Sequence, residues 1–265
     1  MKSYNFILIF CLIFSVSACK QKPLLSIQDL KFVNIDKNAI SRNDIDTTYL
    51  ISGHPFYNYG MGDTFGYNVY DVKGNLIREW QYGVMGPPNS RYLYDSIDLV
   101  IYKDYSTDFL ARYDISYGYA QDSLLLYQYW SDGAPISLFY FNEKGLQINS
   151  IEYEHEDGGS AETISEYEYD SYNRLIRKVE KLQSMTSEQL KLREEYYDKG
   201  INTHNITNYF YTGTKMDSLI TTYYFQNSPE NNYTSKTYYD MRGLRTETIL
   251  KDTIKTIYLH KTRNF

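Results

Sequence analysis

The chain has 265 residues, with 33 acidic and 27 basic side chains and a formal charge of −6 at pH 7. That length suits one large domain or two small ones, and an acidic protein with scattered Lys and Arg has no surface for a nucleic-acid backbone. The only cysteines, Cys11 and Cys19, lie within the first twenty residues, so the rest of the chain can hold no disulfide, thiol nucleophile or Cys-based zinc site.

The N-terminus runs from Lys2 through an apolar stretch, Tyr4 to Phe14, into the small residues Ser15, Ser17 and Ala18. That order of charge, apolar segment and small residues is that of a secretory signal peptide, too short for a comfortable spanning helix. The tetrad Val16-Ser17-Ala18-Cys19 resembles the bacterial lipobox. The resemblance implies removal of residues 1–18, acylation of Cys19 and the lipid bilayer as a partner. It also implies an outer-membrane location, because Lys20 stands where Asp would favour inner-membrane retention. An ordinary signal peptide with a chance cysteine is the alternative. Residues 19–43 are expected to be anchor and tether, and residues 44–265 a single all-β domain.

The unusual count is 31 Tyr, against 2 Trp and 6 Pro. Tyr favours strands, and its ring covers a sheet face while its hydroxyl stays wet. From Asp44 onward, short alternating runs recur, among them Phe65 to Tyr70, Leu124 to Trp130, Ile151 to His155 and Ile220 to Phe225. Period-two alternation rich in aromatic and β-branched residues predicts strands. Ser187 to Tyr197 opens like a capping box, yet Leu190 and Leu192 alternate and Leu175 to Leu182 supplies a partner, so a strand is preferred there too.

A turn motif repeats: aromatic, Asp or Asn, two residues, Gly or Asn, then an aliphatic residue. It appears at Tyr70 to Leu76, Phe141 to Leu146, Tyr169 to Leu175 and Tyr239 to Leu244, with a shortened copy at Tyr197 to Ile201. Asp at the first position caps backbone N–H groups, and Gly or Asn three residues on tolerates the left-handed conformation. Gly118, Gly145, Asn173 and Gly200 are spaced 27, 28 and 27 residues apart, a period that two strands and two turns would fill. Tight and looser turns are expected at Thr212 to Lys215 and Asn227 to Asn232.

These motifs resemble the YD-repeat (Rhs-type) family, most closely in Tyr169-Asp170-Ser171-Tyr172-Asn173-Arg174-Leu175. The resemblance covers residues 65–260 and implies a long curled sheet of repeated hairpins. It does not carry over the encapsulating role of the large toxin shells, for which this chain is too short.

No phosphate loop, dinucleotide fingerprint or nucleophile elbow is present, and His54, His155, His204 and His260 lack metal-ligand spacing. No cofactor is expected. The strongest polar constellation is the hairpin from Ile151 to Asp170, with Glu152, Glu154 and Glu156 on one strand and Glu166, Glu168 and Asp170 on the other. It reads either as a cation cluster or carboxylate pair, or as a solvated face neutralised by Arg174, Arg177, Lys178 and Lys181. Aromatic stripes (Tyr127, Tyr129, Trp130, Tyr140, Tyr223, Tyr224) read either as a surface for glycans or peptide strands, or as cover for the sheet's own faces. Ser96, Ser123, Ser218, Thr253 and Thr47 follow Asp in triplets that resemble an O-glycosylation acceptor of some Gram-negative bacteria. The same triplets would equally open a strand after a turn.

The expected fold is all-β: an antiparallel meander of repeated hairpins forming a long, twisted and curled sheet, with a six-bladed β-propeller as the alternative. The expected function is that of a non-catalytic envelope lipoprotein presenting a Tyr-rich sheet to a glycan or another envelope protein. A glycan-acting hydrolase using the 152–170 carboxylates is the alternative.

Overall fold

Antiparallel pairing between sequence neighbours organises the whole chain. The structure, a computed structural model, describes residues 25–33, 36–52, 62–81, 89–96, 98–106, 110–121, 123–130, 133–156, 159–185, 201–226 and 229–263. Its strands are β1 (Ile45–Ser52), β2 (Thr64–Tyr70), β3 (Leu76–Gln81), β4 (Asn89–Tyr94), β5 (Val100–Ser106), β6 (Leu110–Ala120), β7 (Leu125–Trp130) and β8 (Pro135–Phe141). They continue as β9 (Gln147–Glu156), β10 (Gly159–Tyr169), β11 (Leu175–Met185), β12 (Ile201–Thr212), β13 (Lys215–Gln226), β14 (Tyr233–Tyr239), β15 (Arg245–Leu250) and β16 (Ile254–Thr262). Each strand pairs with the next, and β16 returns to pair with β1, closing a barrel. The closing ladder runs from Ile45↔Thr262 to Ser52↔Thr256. Among the described residues the shortest ladder, β3 with β4, holds three residue pairs. Closure removes both sheet edges and with them the unpaired backbone groups that an open meander leaves exposed.

The sheet therefore curls as expected from the hairpin pattern, and one continuous sheet rules out the propeller alternative. The expected tether is corrected. Residues 25–33 and 36–44 lie across one mouth of the barrel, through a 3-10 turn at Ile27–Asp29 and helix α1 at Lys37–Arg42. Leu30 packs with Leu99, Leu126 and Phe141. Val33 packs against Tyr167, Leu175 and Tyr209, and Ala39 and Ile40 pack with Ile45 and Leu244. Every one of these three apolar clusters includes a residue of this segment, so the core sits at the plugged end. The physical reason is that a barrel this wide cannot fill its own bore with side chains.

Contacts with the plug identify the inward face. Phe32 meets Phe139 and Phe141 edge-on, with ring centroids 5.3 Å apart in both pairs. Away from the plug the inward row is polar, mixing small hydroxyl residues with Glu152 and with the Lys178–Glu180 ion pair at 2.8 Å. Ser150 and Ser165 pair in register and are buried, as are Thr207, Thr221 and Ser235 across β12, β13 and β14. The Thr207 and Thr221 hydroxyls lie 2.9 Å apart. The Ser150 hydroxyl lies 3.2 Å from that of Tyr167, whereas the buried Ser165 hydroxyl has no hydrogen-bond partner among the described residues.

Candidate functional site

An up-and-down chain delivers alternate turns to each end of the barrel. The turns after β2, β4, β8, β10 and β14 all gather at the plugged end, and four of them carry the repeated motif. Asp71 Oδ1 accepts the N–H groups of Lys73 and Asn75, both at 2.8 Å. Asn142 Oδ1 accepts from Lys144 and Leu146 at 2.9 and 3.1 Å. Asp170 does the same for Tyr172 and Arg174, and Asp240 for Arg242 and Leu244. Gly74, Gly145, Asn173 and Gly243 take φ of 79°, 73°, 60° and 79°, and a register shift follows each turn. A fifth turn escapes the motif: Asp95 Oδ1 caps Leu99 N–H while Asp98 takes the left-handed position at φ 65°.

Tyrosine hydroxyls then stitch neighbouring hairpins together at this end. Tyr94 donates to the Leu76 carbonyl, Tyr117 to Val100, Tyr169 to Gln147 and Tyr211 to Leu175, at 2.7–2.8 Å. In each case a tyrosine on one strand reaches the first residue of the preceding strand. The Tyr-Asp pairs at 94–95 and 169–170 therefore divide the labour, Asp holding its own turn and Tyr the neighbouring hairpin.

The ring of turns grips the plug. A Cβ on Gly74 would lie 2.4 Å from the Lys37 carbonyl oxygen, and one on Gly145 would lie 2.4 Å from that of Asp29. The plug backbone pairs with the wall through Lys31 and Leu146, and Gln147 Oε1 accepts the Val33 N–H at 3.1 Å. Lys37 Nζ reaches Asp98 at 2.9 Å, where Lys73 Nζ and Asn75 also donate. Burial pushes the Asp98 carboxyl up, but these hydrogen bonds and the Lys37 charge hold it down to about 2. At the start of β15, Arg245 pairs with Asp36 at 2.7 Å. Two ion pairs of opposite polarity thus tie successive plug residues, Asp36 and Lys37, to different walls.

Beside the plug lies a cavity of about 630 Å³ between α1 and the turns of β10–β11, β12–β13 and β14–β15. Its charged lining residues are Lys31, Arg42, Lys215 and Arg242, and no carboxylate lines it among the described residues. Phe32, Val33, Leu175, Met216 and Met241 supply apolar surface. Sequence reasoning missed this site. The alternation of Leu30, Phe32 and Ile40 with polar residues was its signal, since a free tether has no use for such side chains.

The candidate residues read from sequence are dispersed. Glu152 pairs in register with Thr163, and Glu166 pairs with Asn149. These pairs lie on opposite faces of the sheet, so Glu152 and Glu166 are not brought together. Glu168 binds Arg177 at 2.5 Å and Glu166 binds Lys181 at 3.1 Å, while Asp170 holds Arg174 in the turn. The backbone of Glu154 pairs with Ala161 and that of Glu156 with Gly159. Among the described residues no group of three or more His, Cys, Asp or Glu could hold a metal ion. Tyr223 stacks on Tyr233 at 4.6 Å, and His204 stacks on Tyr224 at 4.2 Å. Ser96 and Ser123 are exposed in turns at the plugged end and Thr253 in the turn between β15 and β16, whereas Thr47 and Ser218 are half-buried in or beside ladders. Cys19, His54, the 187–197 segment and the Tyr197 to Gly200 turn copy lie outside the described residues.

Compared with known proteins, the chain matches no family model and no curated protein. Among solved structures it is similar to a porin-like protein from Bacteroides uniformis ATCC 8492, with TM-score 0.33 and 10% identity over 82% of this chain and 98% of that one. It is also similar to the TcdB2-TccC3-Cdc42 complex, with TM-score 0.23 and 14% identity over 76% of this chain and 9% of that one. The closed barrel overturns two expectations. The chain is not a YD-repeat (Rhs-type) open sheet, because its hairpins close on themselves through β16 and β1. Nor does the fold resemble that of a peripheral lipoprotein held to the outer membrane through acylated Cys19. A closed barrel is the strand architecture that can span a bilayer, since its backbone groups are paired between strands.

Proposed function

We propose that this non-catalytic, all-β envelope protein is a plugged barrel that serves as a binding scaffold rather than as an open channel. The observation that carries the proposal is the seat of residues 25–33 and 36–44 in the barrel mouth, where all three apolar clusters include one of them. Sixteen-stranded barrels with an unobstructed bore leave an aqueous path. Here Leu30, Phe32, Val33 and Ile40 occupy the end of that path, and charged pairs fix the segment on two sides.

The outer face supports an envelope setting of mixed character. Leu93, Phe210 and Leu259 stand 57%, 46% and 55% exposed on it, a surface that suits apolar surroundings. Strands β10 and β11 instead carry Glu166, Glu168, Arg177 and Lys181 outward in two ion pairs. Charges facing hydrocarbon are costly, so this sector is assigned to water or to a polar neighbour. The Tyr-rich surface that was expected to greet a partner is divided, with Tyr94, Tyr117, Tyr169 and Tyr211 spent on stitching.

Vesicles mixed or reconstituted with the intact protein should pass a disaccharide no faster than protein-free vesicles. Turnover assays with oligosaccharides should give no product. Rapid flux with the plug sequence intact would overturn the scaffold reading, and hydrolysis abolished by Glu152→Gln would favour an enzyme.

A further inference from the structure

We infer that the cavity beside the plug binds an organic anion with an apolar body, of the class of a free single-chain alkyl carboxylate. The inference rests on the plugged-barrel reading, because Lys31, Phe32, Val33 and Arg42 reach the cavity only while the plug is seated. Its volume of about 630 Å³ lies in the range of small-molecule sites. Four cationic side chains and no carboxylate line it, in a protein whose formal charge is −6. Asp240 offsets Arg242, so the local excess of positive charge comes from Lys31, Arg42 and Lys215, the reverse of what net composition would predict. Arg242 is held in position by Asp240, its Nε donating to Asp240 Oδ2 at 2.8 Å. Arg42 is anchored to α1 by its Nε, which donates to the Asn38 carbonyl at 3.1 Å. Arg42 keeps both terminal nitrogens to meet an anion, whereas Arg242 also pairs with Asp240 through Nη2 at 2.8 Å and offers mainly Nη1. Lys31 and Lys215 add exposed ammonium groups at the rim. The floor is of a different kind. Phe32, Val33, Leu175 and Met216 offer an apolar surface, and methionine adapts to chains of varied shape. A cationic rim over an apolar floor matches a carboxylate head on an alkyl body. It repels cationic amphiphiles and gives an uncharged alcohol no ion partner.

The test uses the full chain and decanoate at concentrations below its micelle formation, read by isothermal calorimetry. Decanoate should bind saturably near one equivalent, more weakly at high salt. The exposed double variant Arg42→Gln/Lys215→Gln should bind about tenfold more weakly, the size expected for two screened contacts. Decyltrimethylammonium should not compete. Equal binding of the cationic amphiphile, or unchanged affinity in a variant with wild-type melting behaviour, would overturn the inference. Displacement of decanoate by an acidic hexapeptide would overturn the alkyl class as well. A Met216→Gln variant probes the floor independently and should weaken decanoate more than it weakens acetate. Vesicle flux measured on the same sample reports the plug separately. Loss of decanoate binding without flux counts against the cavity, and flux counts against the plug.

Discussion

Asp98 shows how one side chain can serve wall and plug together. It occupies the left-handed turn position, accepts from Lys37 and Lys73, and is held down to about 2 from an ordinary 3.8. A depressed carboxyl stabilises the fold fully above its unfolded value, and the contribution is lost as pH falls toward the folded one. Acid titration of plug contacts, followed by tyrosine fluorescence, should therefore show a component between pH about 4 and about 2 that Asp98→Asn removes. Asp240 acts within its own turn, capping the Arg242 and Leu244 N–H groups at 2.8 and 3.0 Å. Asp240→Ala should cost about 1–2 kcal/mol in urea denaturation, the loss typical of a capping carboxylate. At the acidic hairpin, Glu166 and Glu168 are paired and half-exposed. Millimolar calcium should raise the melting temperature no more than sodium at matched ionic strength, and a calcium-specific rise would contradict the dispersed geometry.

At the scale of the element, the glycine turns separate conformational strain from steric contact. Gly74, Gly145 and Gly243 all have positive φ, but only the first two bring a built Cβ within 2.4 Å of plug carbonyls. At Gly243 the nearest atom is Ala39 Cβ at 3.6 Å. Gly243→Ala should thus cost about 1–2 kcal/mol for the left-handed backbone alone. Gly74→Ala and Gly145→Ala should exceed about 3 kcal/mol, because the plug must also move. Equal urea midpoints for all three variants would show that the plug does not press on the turns. The motif made these hairpins legible, since Asp-x-x-Gly states a local geometry. The 27-residue spacing was less secure: Gly118 lies within β6, away from any turn. Thr212 and Lys215 do pair across a tight turn, with Gly213 at φ 61°.

Across the whole molecule, stability depends on a segment that contributes no strand to the barrel. Leu30 and Leu126 share one cluster, 8% and 0% exposed. Leu30→Ala should destabilise the protein by about 2–4 kcal/mol. In a double-mutant cycle with Leu126→Ala the losses should be less than additive, since each empties the same space. Additive losses would place the plug outside the cooperative unit.

Much was determined by the sequence alone: alternation of apolar and polar residues dictated strands, Asp-x-x-Gly dictated turns, and tyrosine abundance dictated a sheet of unusual aromatic content. These signals are local, arising within a few residues of backbone sterics and hydrogen bonding. Closure was not legible, because the pairing of Ile45 with Thr262 joins the two ends of the domain and has no short-range signature. The faces of Glu152 and Glu166 were equally hidden. With a side-chain period of two, a shift of one residue in register moves a whole row to the other face. The plug and its basic cavity needed the tertiary structure most of all. Lys31, Arg42, Lys215 and Arg242 are scattered over more than two hundred residues, and only the closed barrel, with its bore too wide to fill from its own walls, draws them around one space.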